Sequence, residues 1–260
     1  MKRLAVGFLA ALLLGMSMPA NAQMDVSHFK ILKLDGNYVR WKRPADGRPL
    51  DLSFQLVQED QAFPDARNCR KLTTLDALVA TSKLSQARVH EEILAAFAMW
   101  EAIADIQFHE APAGTPADIQ IGAQAEPEGW AFADVFYSAT SPEQMKPISK
   151  ALVCLNPEKR WKIGFDGDLQ TYDLRYTIAH EIGHAIGLDH PNGAGEIMGY
   201  RYQEKFRELQ AGDVRGALLL YGPRPATNTV AISPTPASQP SAGTNSASSS
   251  GTRGIRPRSP

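Results

Sequence analysis

Apolar and polar residues alternate through Leu50–Val57, with Leu52, Phe54 and Leu56 on one side and Asp51, Ser53 and Gln55 on the other. Period-two alternation is the pattern of a half-buried strand. Beyond Ser85, a favourable helix N-cap, Val89, Ile93, Ala96, Phe97, Trp100 and Ala104 recur at helical spacing and predict one long helix. Short strands are expected at Ile106–His109, Asp118–Gly122, Ala131–Ser138 and Lys150–Asn156. Asp173 can cap a helix over Leu174–Leu188, and a last helix over Gln210–Tyr221 stops at Gly222-Pro223. Residues 58–84 show neither period and read as irregular. Strands around one long helix, followed by two late helices, define an α+β domain.

The two ends differ from this pattern. Lys2 and Arg3, a short apolar run and Ala20-Asn21-Ala22 form a signal peptide over residues 1–22, so the mature chain should begin near Gln23 and be secreted or periplasmic. A short segment, 23–37, then precedes the expected catalytic domain, 38–223. From residue 224 to 260 the chain is rich in Pro, Ser, Thr and Ala, too poor in large apolar residues to order, and reads as a disordered tether or an inert tail. No further run is long and apolar enough to span a bilayer. With 27 Lys+Arg against 28 Asp+Glu, nothing in the charge calls for nucleic acid or an anionic membrane as partner. A monomer is expected. Export favours a disulfide between Cys69 and Cys154; the alternative is a free thiolate that blocks a metal.

The candidate chemistry lies in "TIAHEIGHAIGLDHPNGAGEIMGY", Thr177 to Tyr200. Positions four apart share a helix face, so His180 and His184 can offer two imidazoles to one ion, with Glu181 beside them as a base for its water. Gly187 can take the left-handed conformation that ends the helix and returns His190 as a third ligand. Three protein ligands leave a catalytic zinc one open position. A helix of solvated histidines is the competing reading, and the fixed glycine and third histidine count against it. The remaining histidines, His28, His90 and His109, read as structural or solvated.

These residues resemble the metzincin zinc endopeptidases, with Met198 at the place of their Met-turn methionine. Within that clan the chain is most similar to the matrixins, especially secreted bacterial ones, over Tyr38–Gly222; "AFAMWEAIADIQFHEA" and "LQAGDVRGALLLYG" carry the likeness at either end. The resemblance implies a metzincin-like catalytic domain with a twisted mixed sheet, a long helix, an active-site helix and a C-terminal helix. It implies endopeptidase activity, with a protein or peptide bound as an extended strand. "GWAFADVFYS" is similar to the edge strand that binds it, although an interior strand fits the residues equally. Asp213 is expected to support the Met-turn loop.

Departures accompany the likeness. Pro191 and "MGYRY" leave the matrixin pattern; Tyr200 has the spacing of a tyrosine that in serralysins and astacins can steady the transition state. No histidine lies between His109 and His180, so the matrixins' structural zinc is not expected. The cysteine latch is missing as well, because "DARNCRKL" follows the first strand. Calcium could be held by "GFDGDLQTYD" through Asp166, Asp168 or Asp173, where a merely solvated loop is the other possibility. Two other functions remain open: a zinc hydrolase of cell-wall peptide cross-links and a non-catalytic zinc-binding protein, which the retention of Glu181 counts against.

Overall fold

A computed structural model describes residues 28–193 and 195–225; the expected signal peptide and nearly all of the tail lie outside the described residues. Two short strands, β1 (Lys30–Ile31) and β2 (Lys33–Leu34), lead into β3 (Asn37–Arg40) and the seven-residue β4 (Leu50–Leu56). Next come β5 (Gln61–Ala62), β6 (Lys71–Thr73), α1 (Asp76–Ser82) and the long helix α2 (Gln86–Glu101). Residues 58–84 are therefore not uniformly irregular. Leu72 and Leu78, both fully buried, anchor this stretch, but two isolated positions are too few to show a period.

The chain continues through β7 (Ile106–Glu110), β8 (Ile119–Gln124), β9 (Ala131–Tyr137) and β10 (Lys146–Leu155). Strands β11 (Trp161–Lys162) and β12 (Tyr172–Asp173) precede α3 (Leu174–Ala185), β13 (Leu188–Asp189) and α4 (Ala211–Tyr221). The main sheet is mixed. β7, β4, β8 and β10 are parallel neighbours, and β9 closes antiparallel onto β10 with Leu152 opposite Asp134. Among the described residues β9 has β10 on one side only, which leaves its other edge free.

One face of the sheet packs on α2 and α3. Phe54, Ile119, Ile121 and Val153 meet Ile93, Phe97 and Trp100 of α2 and Ile178 and Ile182 of α3 in one buried cluster. Trp100 also donates from Nε1 to the Ala179 carbonyl at 3.0 Å, which joins the two helices directly. Burying each of these side chains is worth about 1.5–3 kcal/mol, whereas the Ser85 cap, donated to by Arg88 N–H, contributes about 1 kcal/mol. Packing therefore decides where α2 lies and the cap decides where it starts. The opposite face is covered by a smaller cluster of Val57, Ala66, Leu72 and Leu152 around a disulfide between Cys69 and Cys154.

A buried carboxylate fastens the helices to a later loop. Glu92 of α2, 1% exposed, accepts from Arg175 Nε at 2.7 Å and Arg207 Nη2 at 2.8 Å. Arg207 also reaches both carboxylate oxygens of Asp173, the cap of α3. Glu92 lies three residues after Val89 and four before Ala96, on the apolar face, and that misplaced charge was the available signal.

Candidate metal centre

His180 and His184 stand one turn apart on α3, with their Nε2 atoms 3.1 Å apart. The helix ends three residues earlier than the periodicity suggests, at Ala185, because Gly187 turns at φ +100°. A Cβ on Gly187 would also stand 2.7 Å from the Val39 carbonyl oxygen, so the residue is required by both conformation and space. Leu188–Asp189 then run as a strand against β1, with Ile31 opposite Leu188 and Lys30 paired to Asp189 at 2.6 Å. That pairing fixes the approach of His190, whose Nε2 lies 3.0 Å from that of His180 and 3.1 Å from that of His184. The segment before residue 38 is thus built into the site's support.

The outer ring nitrogens are held by carbonyls. His180 Nδ1 donates to Ile197 O at 2.7 Å and His184 Nδ1 to Leu188 O at 2.8 Å. In that tautomer each Nε2 presents a lone pair to the common point. Burial holds His180 well below the usual histidine range and lowers His184 to about 4, with His190 also lowered, so the rings are neutral near pH 7. Three neutral imidazoles aiming lone pairs at one point repel unless a cation lies between them; the residues fit a metal, and their donor set suits zinc. Among the described residues this is the one group of three such ligands close enough to share an ion.

Glu181, on the next helical position, is 5% exposed. Burial, reinforced by the charge of Asp134, pushes its carboxyl up to about 8; a bound cation would pull that value back down. Beneath the histidines, Met198 is 2% exposed and packs against Gly183, where a Cβ would come within 2.2 Å of its sulfur. A glycine inside a helix between two candidate ligands, as Gly183 is, is itself a sequence signal of close approach. Asp213 takes the Met198 loop in its carboxylate, accepting from Ile197 N at 2.9 Å, Met198 N at 3.0 Å and Gln210 N at 2.8 Å.

A cleft of about 640 Å³ opens beside the histidines, between α3 and β9. Tyr200 stands at its mouth, 80% exposed, with its ring edge-on to His190 at 5.1 Å. Deeper in, Trp130, Tyr172 and Tyr202 stack in a column with centroids 3.9 and 4.2 Å apart. The acidic loop expected as a calcium candidate has a cation of its own: the Lys162 ammonium, 12% exposed, contacts Asp166, the Asp168 carbonyl at 2.7 Å and Glu204 at 2.5 Å. The other three histidines are paired with carboxylates, His28 with Glu196, His90 with Glu110 and His109 with Asp51.

A mixed-sheet α+β domain with a helix-borne HExxH pair, a glycine turn and a third histidine defines a metzincin-type metallopeptidase domain. The matrixin family model matches residues 69–222, over half the chain, and the chain belongs to that family. It is 31% identical over 137 residues to metalloendoproteinase 1-MMP of Arabidopsis thaliana, covering 50% of this chain and 37% of the relative. It is 28% identical to matrix metalloproteinase-19 of Mus musculus, across 80% of this chain and 37% of that protein. With human matrix metalloproteinase-16 the identity is 25%, covering 74% and 34% respectively. The chain therefore spans little more than a third of the length of these curated relatives.

Proposed function

We propose that this chain is an exported, zinc-dependent endopeptidase that acts as a monomer on an extended peptide. The observation that carries this reading is the convergence of three Nε2 atoms beside the buried carboxylate of Glu181, in a cleft open to the free edge of β9. Zinc held by His180, His184 and His190 would supply a Lewis acid for the scissile carbonyl and make an attacking water more acidic. Glu181 accepts the proton of that water as its oxygen bonds to the carbonyl carbon. It then returns the proton to the amide nitrogen as the C–N bond breaks. The peptide lies along β9 and completes main-chain hydrogen bonds that the free edge offers. Tyr200, beside His190, donates a hydrogen bond to the developing oxyanion. Tyr200 and Tyr202, after Met198, wall the pocket that takes the side chain after the cut bond, and the Tyr172–Tyr202 stack limits its depth.

Lys162 fills the centre of the acidic loop, so calcium is left out of the proposal. Dialysis against a chelator followed by metal return tests both points. Casein hydrolysis should vanish on zinc removal and return with zinc but not with calcium. Activity that survives complete zinc removal would sink the assignment. If isolated peptidoglycan is cut and casein is not, the substrate is cell-wall peptide cross-links.

A further inference from the structure

The cleft has a wall that the matrixin match does not include. Asp65–Asn68, between β5 and β6, line the same cleft as the three histidines and Glu181, yet precede the matched residues 69–222. This wall is fixed at several points. The carboxylate of Asp134 on β9, 7% exposed, accepts from the backbone N–H groups of Asn68 and Cys69 at 2.7 Å each and from the Asn68 amide at 3.0 Å. Ala66 is buried beneath it, and Cys69 is bonded to Cys154 of β10. A loop held this way can position a side chain for recognition at little further entropic cost.

Arg67 projects from that loop. It is exposed, and among the described residues neither an ion pair nor a hydrogen bond engages its guanidinium. It is also the one Lys or Arg lining the cleft among the described residues. Side chains along β9 alternate: Ala131, Ala133 and Val135 pack toward the helices, whereas Phe132 and Phe136 pack toward the disulfide cluster and the loop. A peptide added to the free edge of β9 shares that alternation, so every second side chain turns toward the Asp65–Asn68 wall.

We propose that Arg67 selects substrates bearing an acidic side chain at the position of the bound strand that faces this wall. The proposal rests on the endopeptidase reading above. Two carboxylates by this wall sharpen it: Asp134 already accepts from three donors, whereas Asp65, on the same loop, is exposed and forms no ion pair with Arg67 among the described residues. The two exposed charges therefore favour opposite substrates, and the cleavage profile reports which one the substrate meets.

The test is mass-spectrometric profiling of the products that the zinc-loaded full chain releases from a peptide library. The parent should enrich Asp or Glu at one subsite, and Arg67→Lys should retain that preference. Arg67→Glu should lower kcat/KM about fivefold for peptides acidic at that position, through KM, with the difference shrinking as salt is added. Identical profiles from the parent and Arg67→Glu would overturn the proposal, as would a basic preference that Asp65→Asn abolishes. A parent that cuts no library peptide would instead overturn the peptidase reading, and this one with it.

Discussion

The Glu181→Gln protein is expected to keep its zinc and to lose roughly a thousandfold in kcat, the range over which a positioned base acts. Gln matches Glu in size and cannot accept the proton, and the three imidazoles proposed to hold the metal remain as they are. Zinc content by elemental analysis and peptide turnover measured on one preparation check both halves. Turnover within tenfold of the parent would remove Glu181 from the role of base. Tyr200→Phe should act more weakly, lowering kcat about tenfold at constant KM, because the proposed hydrogen-bond donor to the oxyanion is lost while the metal remains. Unchanged turnover there would leave Tyr200 as mouth and not machinery.

The same substitution has a stability counterpart. With no metal bound, burial and the Asp134 charge raise the Glu181 carboxyl from an ordinary 4.5 to about 8. A raised folded-state value means that the folded protein binds the extra proton across that window, so its stability falls as pH rises from 4.5 toward 8. Gln carries no such cost. Chelator-treated Glu181→Gln should therefore exceed the chelator-treated parent in urea unfolding at pH 9, by up to about 5 kcal/mol, and match it near pH 4. A parent and variant with parallel pH profiles would contradict a buried, strained carboxylate. Such a group lowers stability in order to sit where the reaction needs it.

The second large effect is expected from Asp213→Ala. Its carboxylate, 1% exposed, satisfies the N–H groups of Ile197, Met198 and Gln210. Alanine would leave three donors short of a partner, two of them in the turn beneath the histidines. At about 1–3 kcal/mol per unsatisfied group, partly relieved by water, the loss should be about 4 kcal/mol. The damage should also reach the metal. Ile197 donates to Asp213 through its N–H and accepts His180 Nδ1 at its carbonyl, so loosening the turn frees the ring of a ligand. Zinc affinity should fall about 10–100-fold, the usual effect of removing a group that orients a ligand. Asp213→Asn, which keeps one acceptor oxygen, should lose less than half as much in both measurements. A zinc titration with a competing chelator, paired with urea unfolding, separates the two effects. Undiminished zinc affinity in a folded Asp213→Ala protein would show that the turn does not position His180.

Much of this protein is legible without coordinates. The alternation at Leu50–Val57, the face from Val89 to Ala104 and the terminator at Gly222-Pro223 each carry their own period or stop signal, and β4, α2 and α4 follow them closely. The expected fold class and the matrixin membership likewise follow from residues in fixed short-range order. Local signals fail where pairing is distant. β1 and β13, 158 residues apart by first residue, are two residues each, too short to show a period, and they exist because each supplies the other's hydrogen bonds. The sequence placed the end of the histidine helix at Leu188 although it also marked Gly187 as a helix-ending turn; the strand pairing of Leu188 with Ile31 decides in favour of the earlier end.

What the sequence by itself determined was the candidate ligand group and its order, since helical spacing puts His180 and His184 on one face with Glu181 beside them. Only the tertiary structure decided how the set is supported and what surrounds it. The carbonyls of Ile197 and Leu188 choose the tautomers, Gly183 admits Met198 and Asp134 mounts the Arg67 loop. The physical reason is range. Ligand spacing is written in the 3.6-residue period of one helix, whereas a buried group's charge and direction are set by whatever the fold packs against it from far along the chain.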